Sequence, residues 1–472
     1  MNLFTSINSR RDFLRSLGCG FGTMAMGGLF AREAQRRNGA IHHPAKAKTV
    51  IQIFCPGGMS QVDTWDYKPE LAKRNGTPFD PDGKLQFFAS KPGNCQGSYW
   101  EFKRHGVCGR PMSGLFPRLA GCVDDMAFVH SMHSKSALHG PAMFMMNSGF
   151  ILPGFPSMGA WVTYGLGSEA DDLPGYVVLP DPRGLPPGGV LNWGAGFLPA
   201  KQQGTPMETA ADKAPLADLF PPKEFNEKTG DSQLLGLLNQ RHAQSRPGNS
   251  ELEARIKAYE MAAKLQLSAP EATSIEGETA ATRKLYQLTD EDVGPFGRQC
   301  LLARRLAERG VRFVQIFCGA ENTTARKIRP NWDSHEDLPR DHGYWGRVLD
   351  GGAAALIRDL KARGMLDETL VICTTEFGRQ PAAQGKAAKG RDHNAGAFTA
   401  WMAGGGIKGG VSYGATDELG WKAVYKPTYS YDFHATALHL LGIDHERLTF
   451  YHNGIQRRLT DVHGHVVKEV LA

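Results

Sequence analysis

Three stretches of the chain stay apolar without alternating: "TVIQIFC" (49–55), "VRFVQIFCG" (311–319) and "TLVICTTEF" (369–377). A strand with one face in water alternates apolar and polar residues, whereas a strand covered on both faces does not. These three therefore predict buried parallel strands. Amphipathic stretches precede the last two. "FGRQCLLARRLAERG" (296–310) and "YWGRVLDGGAAALIRDLKARG" (344–364) both predict helices ending in a basic last turn and a closing glycine. In the second, Trp345, Leu349, Leu356 and Leu360 share one face, while Gly351 and Gly352 weaken its middle. Helix–strand alternation of this kind predicts an α/β fold on a mostly parallel sheet. A glycine-rich hairpin is expected over 404–424 and a helix over 432–442. Residues from about 200 to 290 are more polar and hold one amphipathic pattern, "SELEARIKAYEMAAKLQL" (250–267). They read as a helical insertion over the sheet within one unit spanning 38–472.

The N-terminus follows a different pattern. "SRRDFLRSLGCGFGTMAMGGLFA" sets Arg10 and Arg11 before a weakly apolar Gly/Ala stretch. This predicts a twin-arginine signal over residues 1–37, the twin-arginine export machinery as a partner, and a periplasmic or secreted product. No later apolar run is long enough to span a bilayer, so no stable transmembrane anchor is expected. The formal charge is +6. Six arginines against Asp12 and Glu33 give residues 1–37 a net +4, leaving +2 for the rest. Nucleic acid is therefore not an expected partner. Eight cysteines include no CxxC, which excludes a zinc ribbon or a thioredoxin motif. Cys55, Cys318 and Cys373 read as small apolar fillers of strand ends. Cys95 and Cys108, in a loop-rich stretch, are candidates to pair in an oxidising compartment.

In sheets of this type ligands bind at the carboxyl ends of the strands. Asp63 and Asp66 follow the first strand, in "IFCPGGMSQVDTWD". "NWDSHEDLPRDH" follows the second, with Asp333, His335 and His342. Glu376 of "TTEFGR", then Asp392 and His393 of "GRDHN", follow the third. Each acid alone reads more readily as loop chemistry, and Asp333-Ser334-His335 as a helix cap. Their recurrence at every strand end points to a centre for one or two divalent ions: Zn, Ca, Mn or Mg. "SMHSKSALHGPAMFMMNSG" (131–149) adds His133, Ser136 and His139 at the entrance to an apolar helix. Met143, Met145 and Met146 read as packing. The glycines at 57 and 58 are expected to let backbone approach an anion.

Together these motifs, with "AGGGIKGGVSYGATDELG" and "LTDVHGHVVKEVLA", resemble an uncharacterised, sulfatase-like family of exported bacterial proteins (domain of unknown function 1501). The resemblance covers nearly the whole chain. It implies membership of the alkaline phosphatase superfamily and a three-layer α/β/α sandwich. It also implies a metal site at Asp63, Asp333, His335, Glu376 and His393, with Asp66, Asp392 and His133 in support. The expected function is metal-dependent hydrolysis of sulfate or phosphate esters, with sulfated or phosphorylated glycans as candidate substrates. The rival expectation is a catalytically altered relative that binds metal or carbohydrate in the cell envelope. Two departures sustain that rival. Phe377 stands where the superfamily has a ligand histidine. The Cys/Ser-x-Pro-x-Arg nucleophile motif has no intact copy: His139 takes the nucleophile place and Met143 the arginine place. His139, as nucleophile or general acid/base, and Ser136 are the catalytic candidates.

Overall fold

A computed structural model describes residues 41–472 apart from 81, 84, 86–91, 211–230, 247–251, 253–255, 257–269, 322–327 and 386–388. The expected export signal and most of the expected helix over 250–267 lie outside the described residues. Eight strands form the central sheet: β1 (Thr49–Phe54), β2 (Met126–Met132), β3 (Tyr176–Leu179), β4 (Thr205–Pro206), β5 (Phe313–Phe317), β6 (Thr369–Thr374), β7 (Phe398–Ala403) and β8 (Val411–Tyr413). Their order is β8-β2-β7-β6-β1-β5-β3-β4. The three strands expected from apolar runs lie side by side at its middle, with β1 parallel to both β5 and β6. Strand β7 alone runs antiparallel to both its neighbours. Strands β2, β3 and β7 were not among the expected elements; "YVVL" is too short to carry a period, and "FTAWMA" follows a loop rich in glycine and charge.

Five helices cover the sheet: α1 (His139–Ser148), α2 (Met158–Leu166), α3 (Gly294–Glu308), α4 (Leu338–Ala362) and α5 (Ser430–Leu440). Ile51 and Ile53 of β1 pack with Leu302 and Leu306 of α3 and Leu349 and Leu356 of α4. Val50 and Phe54, which point the other way, pack with Met143 of α1, Trp161 of α2 and Phe433 of α5. Alternate side chains of one strand thus enter two separate cores, as a three-layer α/β/α sandwich requires.

Gly351 and Gly352 are where α4 meets α3. A Cβ at Gly351 would stand 2.5 Å from Val293 Cγ1, and one at Gly352 2.4 Å from the Phe296 ring. The glycines that weaken α4 locally are what let it pack closely. The helix begins at Leu338, earlier than the expected 344, because Asp337 caps it by accepting the Arg340 N–H at 3.1 Å. The expected hairpin survives only as the short pair Ala415–Thr416 and Ala423–Tyr425. The expected pairing of Cys95 and Cys108 is corrected: Cys95 is buried, Cys108 is exposed, and both are free thiols. Among the described residues no helix is long and apolar enough to cross a membrane.

Candidate metal centre

The carboxyl ends of β1, β5 and β6 carry three loops that meet. Gly57 makes the meeting possible. It adopts φ 108°, and a Cβ there would stand 2.4 Å from Asp333 N and 2.7 Å from Trp332 N. The Trp332 N–H donates to Pro56 O at 3.0 Å, locking the first loop to the second. The close approach expected of these glycines is therefore to the chain's own backbone.

Asp333 Oδ1 is the hub. His335 Nε2 lies 2.8 Å away, His393 Nε2 3.3 Å and His139 Nε2 3.5 Å. His335 Nε2 and His393 Nε2 are themselves 3.0 Å apart. Each ring has an oxygen against its other nitrogen. His139 Nδ1 meets Glu376 Oε1 at 2.7 Å, His393 Nδ1 meets Ala137 O at 2.7 Å, and His335 Nδ1 meets Gln384 Oε1 at 2.5 Å. Those oxygens orient the three rings so that each Nε2 faces Asp333. Ligand-like donors within 4.8 Å of one another form two overlapping groups: His139, Asp333 and His393, and His335, Asp392 and His393.

The surroundings set the charges. Arg379, fully buried, donates to Gly57 O, Gly58 O and Arg391 O and reaches Asp333 Oδ1 at 2.5 Å. Burial works against the Asp333 charge, but Arg379 and the three imidazoles outweigh it and hold the carboxyl far below the usual range. Burial also opposes charge on His139, yet the hydrogen bonds it donates to the Asp333 and Glu376 carboxylates raise it to about 9. His393, desolvated and near Arg379, is pushed down instead. Phe377 is buried with its ring centroid 5.0 Å from that of His139 and 4.6 Å from that of His393. An apolar ring thus closes the side where a further ligand was looked for.

Of the residues expected at the site, the structure brings together His139, Asp333, His335, Asp392 and His393. Glu376 is adjacent, but its Oε1 accepts the Gly57 N–H at 2.8 Å and holds His139. Asp63 stands apart from the cluster: Arg391 Nε donates to Oδ2 at 2.8 Å, Ser60 Oγ to the same oxygen at 2.5 Å, and the Tyr99 N–H to Oδ1 at 3.3 Å. Asp66 is held by Lys68 at 3.0 Å and by Thr416. Ser136 Oγ accepts the Leu138 N–H at 3.1 Å, serving the turn into α1. His133 packs on Tyr429 with ring centroids 3.7 Å apart. His342 Nε2 accepts the Ser60 N–H at 3.0 Å and is buried, a structural part. Sequence reasoning missed Arg379, Arg391 and Gln384. The signal for the arginines was present in "EFGR" and "GRDH", where a cation follows or adjoins candidate ligands.

The donor set fits a divalent ion: three imidazole nitrogens and one carboxylate oxygen converge. The comparisons with known proteins identify the family. The model of the family described as "Protein of unknown function (DUF1501)" matches residues 47–471. No curated protein matches the chain in sequence. Similar solved structures include a sulfatase from Pseudoalteromonas sp. at 14% identity, covering 96% of this chain and 75% of that one, TM-score 0.35. Another is the lipoteichoic acid synthase of Listeria monocytogenes at 12% identity, covering 84% and 73%, TM-score 0.36. A third is the phosphonate monoester hydrolase of Agrobacterium radiobacter at 11% identity, covering 84% and 74%, TM-score 0.33.

Proposed function

We propose that this chain, which belongs to the DUF1501 family, is an exported hydrolase of sulfate or phosphate esters that works with one bound divalent ion, and that glycan-borne esters are its substrates. The observation that carries the proposal is the convergence of three imidazole Nε2 atoms on the Asp333 carboxylate. A divalent ion would take the place of the protons that now join these rings to the carboxylate, since a metal binds the deprotonated imidazole. Asp333, His139, His335 and His393 would hold it, with Asp392 beside His335 and His393. An imidazole-rich set favours zinc over calcium or magnesium. When bound, such an ion polarises an ester oxygen and lowers the pKa of water.

The remaining work falls to this chain's own residues. Glu376 fixes the His139 ring and keeps its proton at Nδ1. Arg379 holds Asp333 from behind and keeps it ionised. Phe377 covers two imidazoles and excludes water from that side. One ion is preferred to two because Arg391 already neutralises Asp63, the carboxylate a second ion would need, and Arg379 brings a fixed positive charge against Asp333. With Nε2 of His139 turned to the ion and Ser136 occupied by the Leu138 amide, water is the attacking group. Export rests on Arg10 and Arg11 before the apolar N-terminal stretch.

The absence of an intact Cys/Ser-x-Pro-x-Arg motif favours a second reading, a metal- or glycan-binding envelope protein without turnover. One experiment separates them. The mature chain is purified, its bound metal measured by elemental analysis, and aryl sulfates and aryl phosphates are screened with the parent and with His393→Ala. About one ion per chain and turnover lost with His393→Ala are expected. Metal without turnover on any ester supports the second reading; neither metal nor turnover overturns the hydrolase and leaves glycan binding as the form of the second reading.

A further inference from the structure

The loop 133–138 joins strand β2 to helix α1 and is pinned at both ends. The His133 N–H donates to Thr428 O at 3.1 Å and the Ser134 N–H to Ala395 O at 2.8 Å. At the other end Ala137 O takes the His393 ring at 2.7 Å. Lys135 stands on this loop, exposed. Its ammonium donates to Tyr431 Oη at 3.1 Å and lies 4.9 Å from the Tyr431 ring centre and 5.7 Å from that of Tyr429. It lies four positions before His139, a backbone reach of at most about 14 Å.

A neighbouring lysine makes the contrast. Lys426 also sits over two tyrosines, Tyr413 at 5.0 Å and Tyr425 at 5.5 Å, but Glu469 pairs with it at 2.5 Å. Lys135 has no carboxylate within ion-pair distance among the described residues, and two of its three N–H donors remain for a ligand. The nearby acid, Asp432, is taken by the N–H groups of Tyr429 at 3.0 Å and His465 at 2.8 Å. The His133 ring lies tilted against Tyr429, and His463 lies tilted against the buried Tyr431 at 4.8 Å, which fixes both tyrosines in place. His133 Nε2 is buried there without a partner.

From this we infer that Lys135, with the partly exposed Tyr429 as its floor, is a second oxyanion-reading subsite beside the cluster, so that the ligand is a glycan chain bearing sulfate or phosphate groups on more than one ring. Aromatic faces pack against the apolar faces of sugars, and the cation held above them reads a charge. The inference rests on the reading of the cluster as the place where one ester is bound, and it assigns the place of the next.

Calorimetry on the metal-loaded mature chain tests it, using disaccharides with an oxyanion on one ring or on both, in sulfated and phosphorylated forms, beside inorganic polyphosphate. Lys135→Ala is expected to weaken the doubly charged sugar about tenfold and leave the singly charged one unchanged. Tyr429→Ala is expected to weaken both sugars and spare polyphosphate, and Lys426→Ala to change neither. The sulfated and phosphorylated arms show which ester the subsite prefers. If both sugars bind and Lys135→Ala changes neither, the subsite is overturned and the reading of the cluster stands. If Tyr429→Ala has no effect while polyphosphate binding depends on Lys135, the glycan is overturned. If the parent binds no sugar, both readings fall.

Discussion

Asp63 follows strand β1 and Asp333 follows its neighbour β5, so the two carboxylates leave the same edge of the sheet, yet they meet opposite company. Asp63 is fully buried and faces a fully buried guanidinium, with a serine hydroxyl and a backbone N–H completing its bonds. Every charge in that group has an opposite and every lone pair a donor. Asp333 is partly exposed and faces three imidazole nitrogens besides one arginine. The first arrangement is complete as it stands; the second gathers three metal-binding rings on one carboxylate. A carboxylate's role here is legible in its surroundings, since both positions have the right chemistry for a ligand.

The largest effect expected from breaking this contrast is Arg391→Ala. It leaves Asp63 buried and unpaired, at a cost of roughly 3–5 kcal/mol in chemical denaturation of the full chain. Metal content of the protein that folds should be unchanged. If instead stability holds and metal is lost, Asp63 is a ligand and the contrast is wrong.

A buried imidazole gives the next. Unlike His139, raised by two carboxylates, His434 of α5 has Met146 O at 2.9 Å as its hydrogen-bond partner, and burial lowers it to about 4. The folded protein therefore resists the proton that the unfolded chain accepts near 6.5. Stability from this group is full above pH 6.5 and is lost as pH falls toward 4, by up to about 3 kcal/mol. Unfolding curves of the parent and His434→Gln across that window should converge toward the acid end.

The smallest effect tests how the cluster is tuned. Gln384→Ala removes the oxygen against His335 Nδ1 without touching a proposed ligand, and about tenfold weaker metal binding is expected in a chelator competition. An unchanged affinity would show that His335 does not need that orientation.

The middle of the sheet was legible in the sequence because strands buried on both faces leave continuous apolar runs. The edges were less so: β3 has four residues and β4 two. The reversed strand β7 was missed because nothing in "FTAWMA" states a direction. At the site, His139, Asp333, His335 and His393 could be named from residue type and position after strands. Asp63 looked the same by those criteria. What distinguishes it is Arg391, 328 residues further on, and no local pattern links the two. Glu376 was read as a ligand because it ends a strand; its Oε1 is taken by the Gly57 amide and a histidine from α1.

Gly57 carries a consequence for how the protein comes into being. Its contacts with Asp333 and Glu376 join positions about three hundred residues apart, as does the pair of Asp63 with Arg391. Contacts at such separation are slow to form, because long loops must close before they are rewarded. A nascent chain that has reached residue 375 already holds Asp333 and His335, but neither Arg379 to steady the one nor His393 to stand beside the other. The cluster is thus assembled late in synthesis, and a truncated or stalled chain would expose its acids and imidazoles without the geometry that gives them meaning.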